Sequence, residues 1–118
     1  MTASPGFVPP TDTAAGLVLE ERGPKAPALD GDPRESGVLF HSDGDLLVGV
    51  WECTPVRWRS AKVGVGELMH FVSGSGTIVD AAGEWEIVPG AVRWFPDGWT
   101  GEWHVRSTVR KVFAIIST

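Results

Sequence analysis

From Gly37 to the end of the chain, short apolar runs alternate with turn residues, and no stretch sustains the spacing of an amphipathic helix. The runs are Val38–His41, Leu46–Cys53, Val56–Lys62, Glu67–Ser73, Gly76–Val79, Glu84–Ile87, Val92–Phe95, Gly101–Val105 and Val109–Ile116. Between them stand Asp43-Gly44, Gly74-Ser75-Gly76, Ala82-Gly83, Pro89-Gly90 and Pro96-Asp97-Gly98. β-forming runs broken by turns roughly every seven to ten residues predict a sandwich or barrel of many short strands. Leu46–Trp51 and Val112–Ile116 are apolar at every position, which predicts central strands covered on both faces. Glu84-Trp85-Glu86-Ile87 alternates cleanly, which predicts a strand with one wet face.

The first 35 residues follow another rule, because Pro5, Pro9, Pro10, Pro24, Pro27 and Pro33 interrupt them. Such a stretch neither propagates a helix nor occupies a central strand. The reading is an extended arm over residues 1–35 and one domain over 36–118, with Gly16–Glu20 as an edge strand or a segment laid over a neighbour. At 118 residues and 42% hydrophobic side chains, a single core is the expected outcome.

Composition narrows the partners. No apolar run approaches the roughly 20 residues of a membrane-spanning helix, and no basic start followed by an apolar stretch marks a secretory signal, so a cytoplasmic protein without membrane contact is expected. A net charge of -5 opposes the neutralisation of phosphates on which nucleic-acid affinity depends, so DNA and RNA are not expected partners. The single cysteine, Cys53, has no partner for an internal disulfide or a zinc knuckle, and its reactive reading yields to that of a small buried apolar side chain.

Several motifs carry a family likeness. Glu67-Leu-Met-His70-Phe-Val-Ser-Gly74 resembles the second half of the first cupin motif, a glutamate followed after six residues by a glycine that ends the strand. Gly76–Glu84 is similar to the hairpin that follows it, and Pro89-Gly90-Ala91-Val92-Arg93-Trp94-Phe95-Pro96-Asp97-Gly98 is similar to the second motif. Gly49–Pro55, Gly98–Arg106 and Val109–Lys111 resemble the small cupins related to ureidoglycine aminohydrolase, and the likeness spans residues 37–117. It implies an all-β, double-stranded β-helix of the RmlC-like kind, a cupin jelly-roll barrel with an extended Pro-rich N-terminal arm. It also implies a metal-dependent enzyme of nitrogen or small-acid metabolism, although fold likeness alone does not transfer activity.

The ligand positions of that family are not filled here. Its H-x-H pair falls on Ser60 and Lys62, or on Ala61 and Val63, and its third histidine falls on Gly101. No metal cofactor is therefore expected, with a non-standard Mn, Fe, Ni or Zn site of Glu67, His70 and Glu102 as the alternative. Glu67 and His70 are the candidate catalytic residues, with Glu67 expected to be raised in pKa by an apolar barrel, and the two should point to opposite faces of a regular strand. His41 and His104 are expected to be surface or hydrogen-bonded residues.

Six tryptophans without a tyrosine exceed ordinary packing needs. They either fill the barrel and a dimer interface or line a pocket at its mouth. In the second reading Trp51, Trp58, Trp94 and Trp103 form the walls, and a cation from Arg57, Arg59, Lys62 or Arg93 orients a small anionic or planar ligand. The candidate ligand-binding set is Trp51, Trp58, Lys62, Arg93 and Trp103. Exposed strand edges predict a homodimer in which the arm or an edge strand packs across the partner. Three readings stay open: a small-molecule-binding barrel, a metal-dependent enzyme, and a metal-free acid–base enzyme.

Overall fold

The computed structural model describes residues 13–24 and 28–118. Among the described residues the expectation of a barrel without helices holds, and the strands are β1 (Glu20–Pro24), β2 (Arg34–Ser42), β3 (Leu46–Cys53), β4 (Val56–Ala61), β5 (Val65–Asp80), β6 (Gly83–Ile87), β7 (Val92–Phe95) and β8 (Thr100–Ser117). Two of them are longer than their apolar runs suggest. Glu67–Ser73 and Gly76–Val79 are halves of β5, and Gly101–Val105 and Val109–Ile116 are halves of β8. Each long strand bends from one layer into the other, so β5 and β8 form the spine of both layers.

One layer runs β1-β2-β3, then the C-terminal half of β8, the N-terminal half of β5, and β7. The other runs β4, the N-terminal half of β8, the C-terminal half of β5, and β6. Every pairing is antiparallel, and the two layers form the jelly roll that the resemblance implies. As their apolar runs predict, β3 and β8 are central.

The corner in β5 explains why Gly74 does not end its strand. Its φ is +96°, and a Cβ there would lie 2.2 Å from the Thr108 carbonyl oxygen, so only glycine allows β5 to cross β8 this closely. The register shifts across the corner, and the inward positions change from Glu67, Met69 and Phe71 before it to Gly76 and Ile78 after it.

The core sits between the layers and is aromatic. Trp103 stacks on Trp58 at 4.8 Å and meets Phe71 and Phe95 at 5.8 and 6.1 Å. Packing of this density fixes the separation of the layers, and with it the interior space left at one end.

The described residues of the arm are tied to the barrel. Glu20–Pro24 pairs with Arg34–Gly37 as an edge strand, and Arg110 Nη1 donates to the carbonyls of Ala14, Ala15 and Leu17 at 2.9, 3.2 and 2.7 Å. The described part of the arm thus lies on its own barrel. Leu29 and Asp30 likewise donate to the Arg57 carbonyl and cover the outer edge of β4.

Candidate functional site

Strand parity assembles the site. Glu67 on β5, Lys111 on β8 and Trp51 on β3 all fall on inward positions, with Lys111 opposite Trp51 on one side and Phe71 on the other. Lys62 follows the end of β4, and its backbone is fastened to the second-motif turn through Lys62 N–H to the Trp99 carbonyl and Gly98 N–H to the Lys62 carbonyl. These frames bring two ammonium groups onto one carboxylate. Lys62 Nζ donates to Glu67 Oε1 and Lys111 Nζ to Glu67 Oε2, both at 2.8 Å.

Glu67 is 2% exposed and Lys111 8%. Lys111 Nζ also lies 4.6 Å from the centre of the Trp51 ring and 5.4 Å from that of Trp103, so aromatic faces supply part of its solvation. Beside the three charges is a cavity of about 190 Å3 that Trp51, Trp58, Met69, Trp103 and Phe113 enclose on its apolar sides.

The Glu67 carboxyl titrates below the usual range, opposite to the expectation. Burial pushes it up, but the charges of Lys111 and Lys62 and the hydrogen bonds they donate outweigh burial and pull it down. With Glu67 ionised, one carboxylate stands between two ammonium groups. The pH dependence follows. A lowered carboxyl contributes stability that is complete above its unfolded value, about 4.3, and is lost as pH falls through the folded value. Thermal melts from pH 7 to pH 2 are expected to show an acid-side drop in wild type that is shallower in Glu67→Gln; equal slopes would remove Glu67 from the acid response.

Four of the five residues of the ligand-binding set, Trp51, Trp58, Lys62 and Trp103, thus meet around the cavity with Glu67. Arg93 does not join them. It faces inward at a separate cleft near β6, donates to Asp80 at 2.6 Å and stacks 4.5 Å from the Trp85 ring centre. Trp94 is half-exposed on the outer face, over Gly66. His70 points away from Glu67 and is exposed, as the three-residue spacing predicts. Glu102 lies on the outer face of β8, where His104 at 2.7 Å and Arg57 at 2.6 Å hold it and lower its pKa. His41 pairs with Asp43 beside the β2–β3 turn, and Cys53 is fully buried.

These placements test the donor set for a divalent metal. Among the described residues no cluster of three or more His, Cys, Asp or Glu side chains has a metal-holding arrangement. Both oxygens of Glu67 already accept from ammonium groups, and the third-histidine position is Gly101, where a Cβ would lie 2.5 Å from the Trp99 ring. Neither the Glu67, His70, Glu102 combination nor the family's three-histidine set fits a metal here.

Lys111 lies in this cluster and is missing from the sequence-derived set. The signal was a lysine at the same parity as Val109 and Phe113, hidden because the apolar run in which both parities agree begins only at Val112.

Residues 41–113 match the EutQ-like cupin domain. A structure from Pseudomonas syringae pv. tomato, of a protein of unknown function, aligns with a TM-score of 0.74 at 23% identity over 84% of this chain, which spans only 44% of that protein's length. A predicted oxalate decarboxylase from Thermotoga maritima aligns with a TM-score of 0.67 at 14% identity, covering 90% of this chain and 97% of the other. The EutQ protein of Clostridium difficile aligns with a TM-score of 0.61 at 12% identity, over 72% and 69% of the two chains. Such identities establish the fold alone. A search of curated proteins finds no match to the chain. Among the described residues no helix is long and apolar enough to cross a membrane. With a match that covers more than half of its 118 residues, the chain belongs to the EutQ-like cupin domain family.

Proposed function

We propose that this cupin binds a small, flat, singly charged anion in the barrel interior without a metal ion. The observation that carries the reading is the Lys62–Glu67–Lys111 cluster, whose two ammonium groups sit beside a cavity walled by Trp51, Trp58 and Trp103. An anion placed beside the two ammonium groups accepts charge-assisted hydrogen bonds from them, which are stronger than neutral ones. The flat tryptophan faces supply apolar contact for the rest of the ligand. At about 30 Å3 per water, the cavity of about 190 Å3 holds roughly six waters' worth of ligand.

Crotonate and its neutral amide, crotonamide, are a matched pair of this size. Saturable quenching of tryptophan fluorescence is expected with crotonate and not with crotonamide. Lys62→Met retains the Lys111–Glu67 pair but removes one of the two ammonium donors, and is expected to weaken crotonate about tenfold to a hundredfold, since a hydrogen bond to a charged group contributes about 1.5–3 kcal/mol. Equal binding of acid and amide would reject the anion site.

A further inference from the structure

Ten basic residues occur in the chain, seven of them arginine and only three lysine, at positions 25, 62 and 111. Among the described residues, the ion pairs that involve neither histidine nor Glu67 are made by arginine, among them Arg57 with Glu102, Arg93 with Asp80 and Arg110 with Glu52. Yet the most enclosed carboxylate, Glu67, is held by two lysines. For a purely structural buried pair, arginine is the better partner because its planar fork matches a carboxylate and is less strongly hydrated. What lysine offers instead is a primary amine.

Resting on the interior anion site proposed above, we propose that Lys111 is a nucleophilic amine that captures the carbonyl carbon of a small 2-oxo acid as an imine. A lysine beside a second cation in an apolar enclosure is the arrangement that yields such an amine. Lys111 has both, with Lys62 on the other oxygen of the same carboxylate and the Trp51, Trp103 and Phe113 rings around its Nζ. Lys62, at the end of β4 and slightly more exposed, holds the carboxylate of the acid.

The step balances without an oxidant or a metal. The ammonium of Lys111 and the carbonyl give a protonated imine and one water. The N–C bond forms as the C–O bond breaks, two of the three ammonium protons leave with the carbonyl oxygen, and one stays on nitrogen. Glu67, in hydrogen-bond contact with both amines, relays the proton that must leave Lys111 before attack on to the carbonyl oxygen and does not keep it. The product is again a single positive charge at the same place, so the Trp51 face and the Glu67 carboxylate that stabilise the ammonium also stabilise the imine.

Pyruvate with sodium cyanoborohydride tests this on the full wild-type chain, with peptide mapping of the trapped adduct. Lys111 is expected to carry at least ten times the label of Lys25, crotonate is expected to suppress it, and Lys111→Arg is expected to lose it while circular dichroism shows a folded barrel. Label confined to Lys25 and the amino terminus, or shared equally between Lys25 and Lys111, would overturn the proposal even if crotonate still quenches tryptophan, in which case the anion site stands without the amine chemistry. Strong label at Lys111 that crotonate does not reduce would reject the shared site.

Discussion

Glu67→Gln is expected to cost about 3–5 kcal/mol of folding stability, the range for breaking a buried ion pair from one side. The substitution preserves volume and strand geometry but leaves the Lys62 and Lys111 ammonium groups facing each other in an apolar enclosure, without the charge that both address at 2.8 Å. At roughly 4–8 °C per kcal/mol for a domain near this size, the melting temperature should fall by more than about 12 °C. The cause is distinguishable from lost packing. Glu67→Met combined with Lys111→Met removes the pair and should recover most of the loss, because apolar replacement of a buried pair is often neutral or stabilising. Lys62, at the mouth, can then direct its charge to water. A double variant no more stable than Glu67→Gln would show that the carboxylate is needed for packing, not for charge balance.

The second large effect lies at Gly101, the position of the family's third histidine. A Cβ there meets the Trp99 ring at 2.5 and 2.7 Å and the Val79 carbonyl oxygen at 2.7 Å. Trp99 has little room to yield, since its indole N–H donates to Asp80 at 2.8 Å and its ring meets Phe95 edge-on at 4.8 Å. Gly101→Ala is expected to cost about 1–3 kcal/mol, the usual range for overpacking, and Gly101→His more. Elemental analysis of Gly101→His after incubation with Mn, Fe, Ni or Zn is expected to find no stoichiometric metal, because Glu67 remains enclosed by ammonium groups. Metal at one equivalent per chain would overturn the account of Glu67 as an anion fixed by lysines.

Much of the barrel was legible from local pattern. Turn residues separate apolar runs, and the all-apolar Leu46–Trp51 and Val112–Ile116 do occupy central strands. Where the reading stopped short, the reason is tertiary. Gly74-Ser75-Gly76 has turn chemistry, yet pairing with β8 carries β5 through it, and the shifted register changes which residues face inward. Periodicity cannot see such a corner, since it depends on a strand distant in sequence.

The site divides in the same way. Sequence determined that the barrel would lack the metal-binding histidines, that Glu67 and His70 would point apart, and that tryptophans and a lysine were available to a pocket. Only the tertiary structure decided that Trp51, Trp58, Trp103 and Lys62 converge, that Arg93 is drawn aside by Asp80, and that Trp94 faces outward. The sign of the Glu67 shift was decided there too. Burial alone would raise it, but Lys111 lies 44 positions away in the chain, and only the pairing of β8 with β5 brings its charge within 2.8 Å. Strand preference is local and written residue by residue, whereas electrostatics at a buried group depends on through-space distances that only the closed barrel sets.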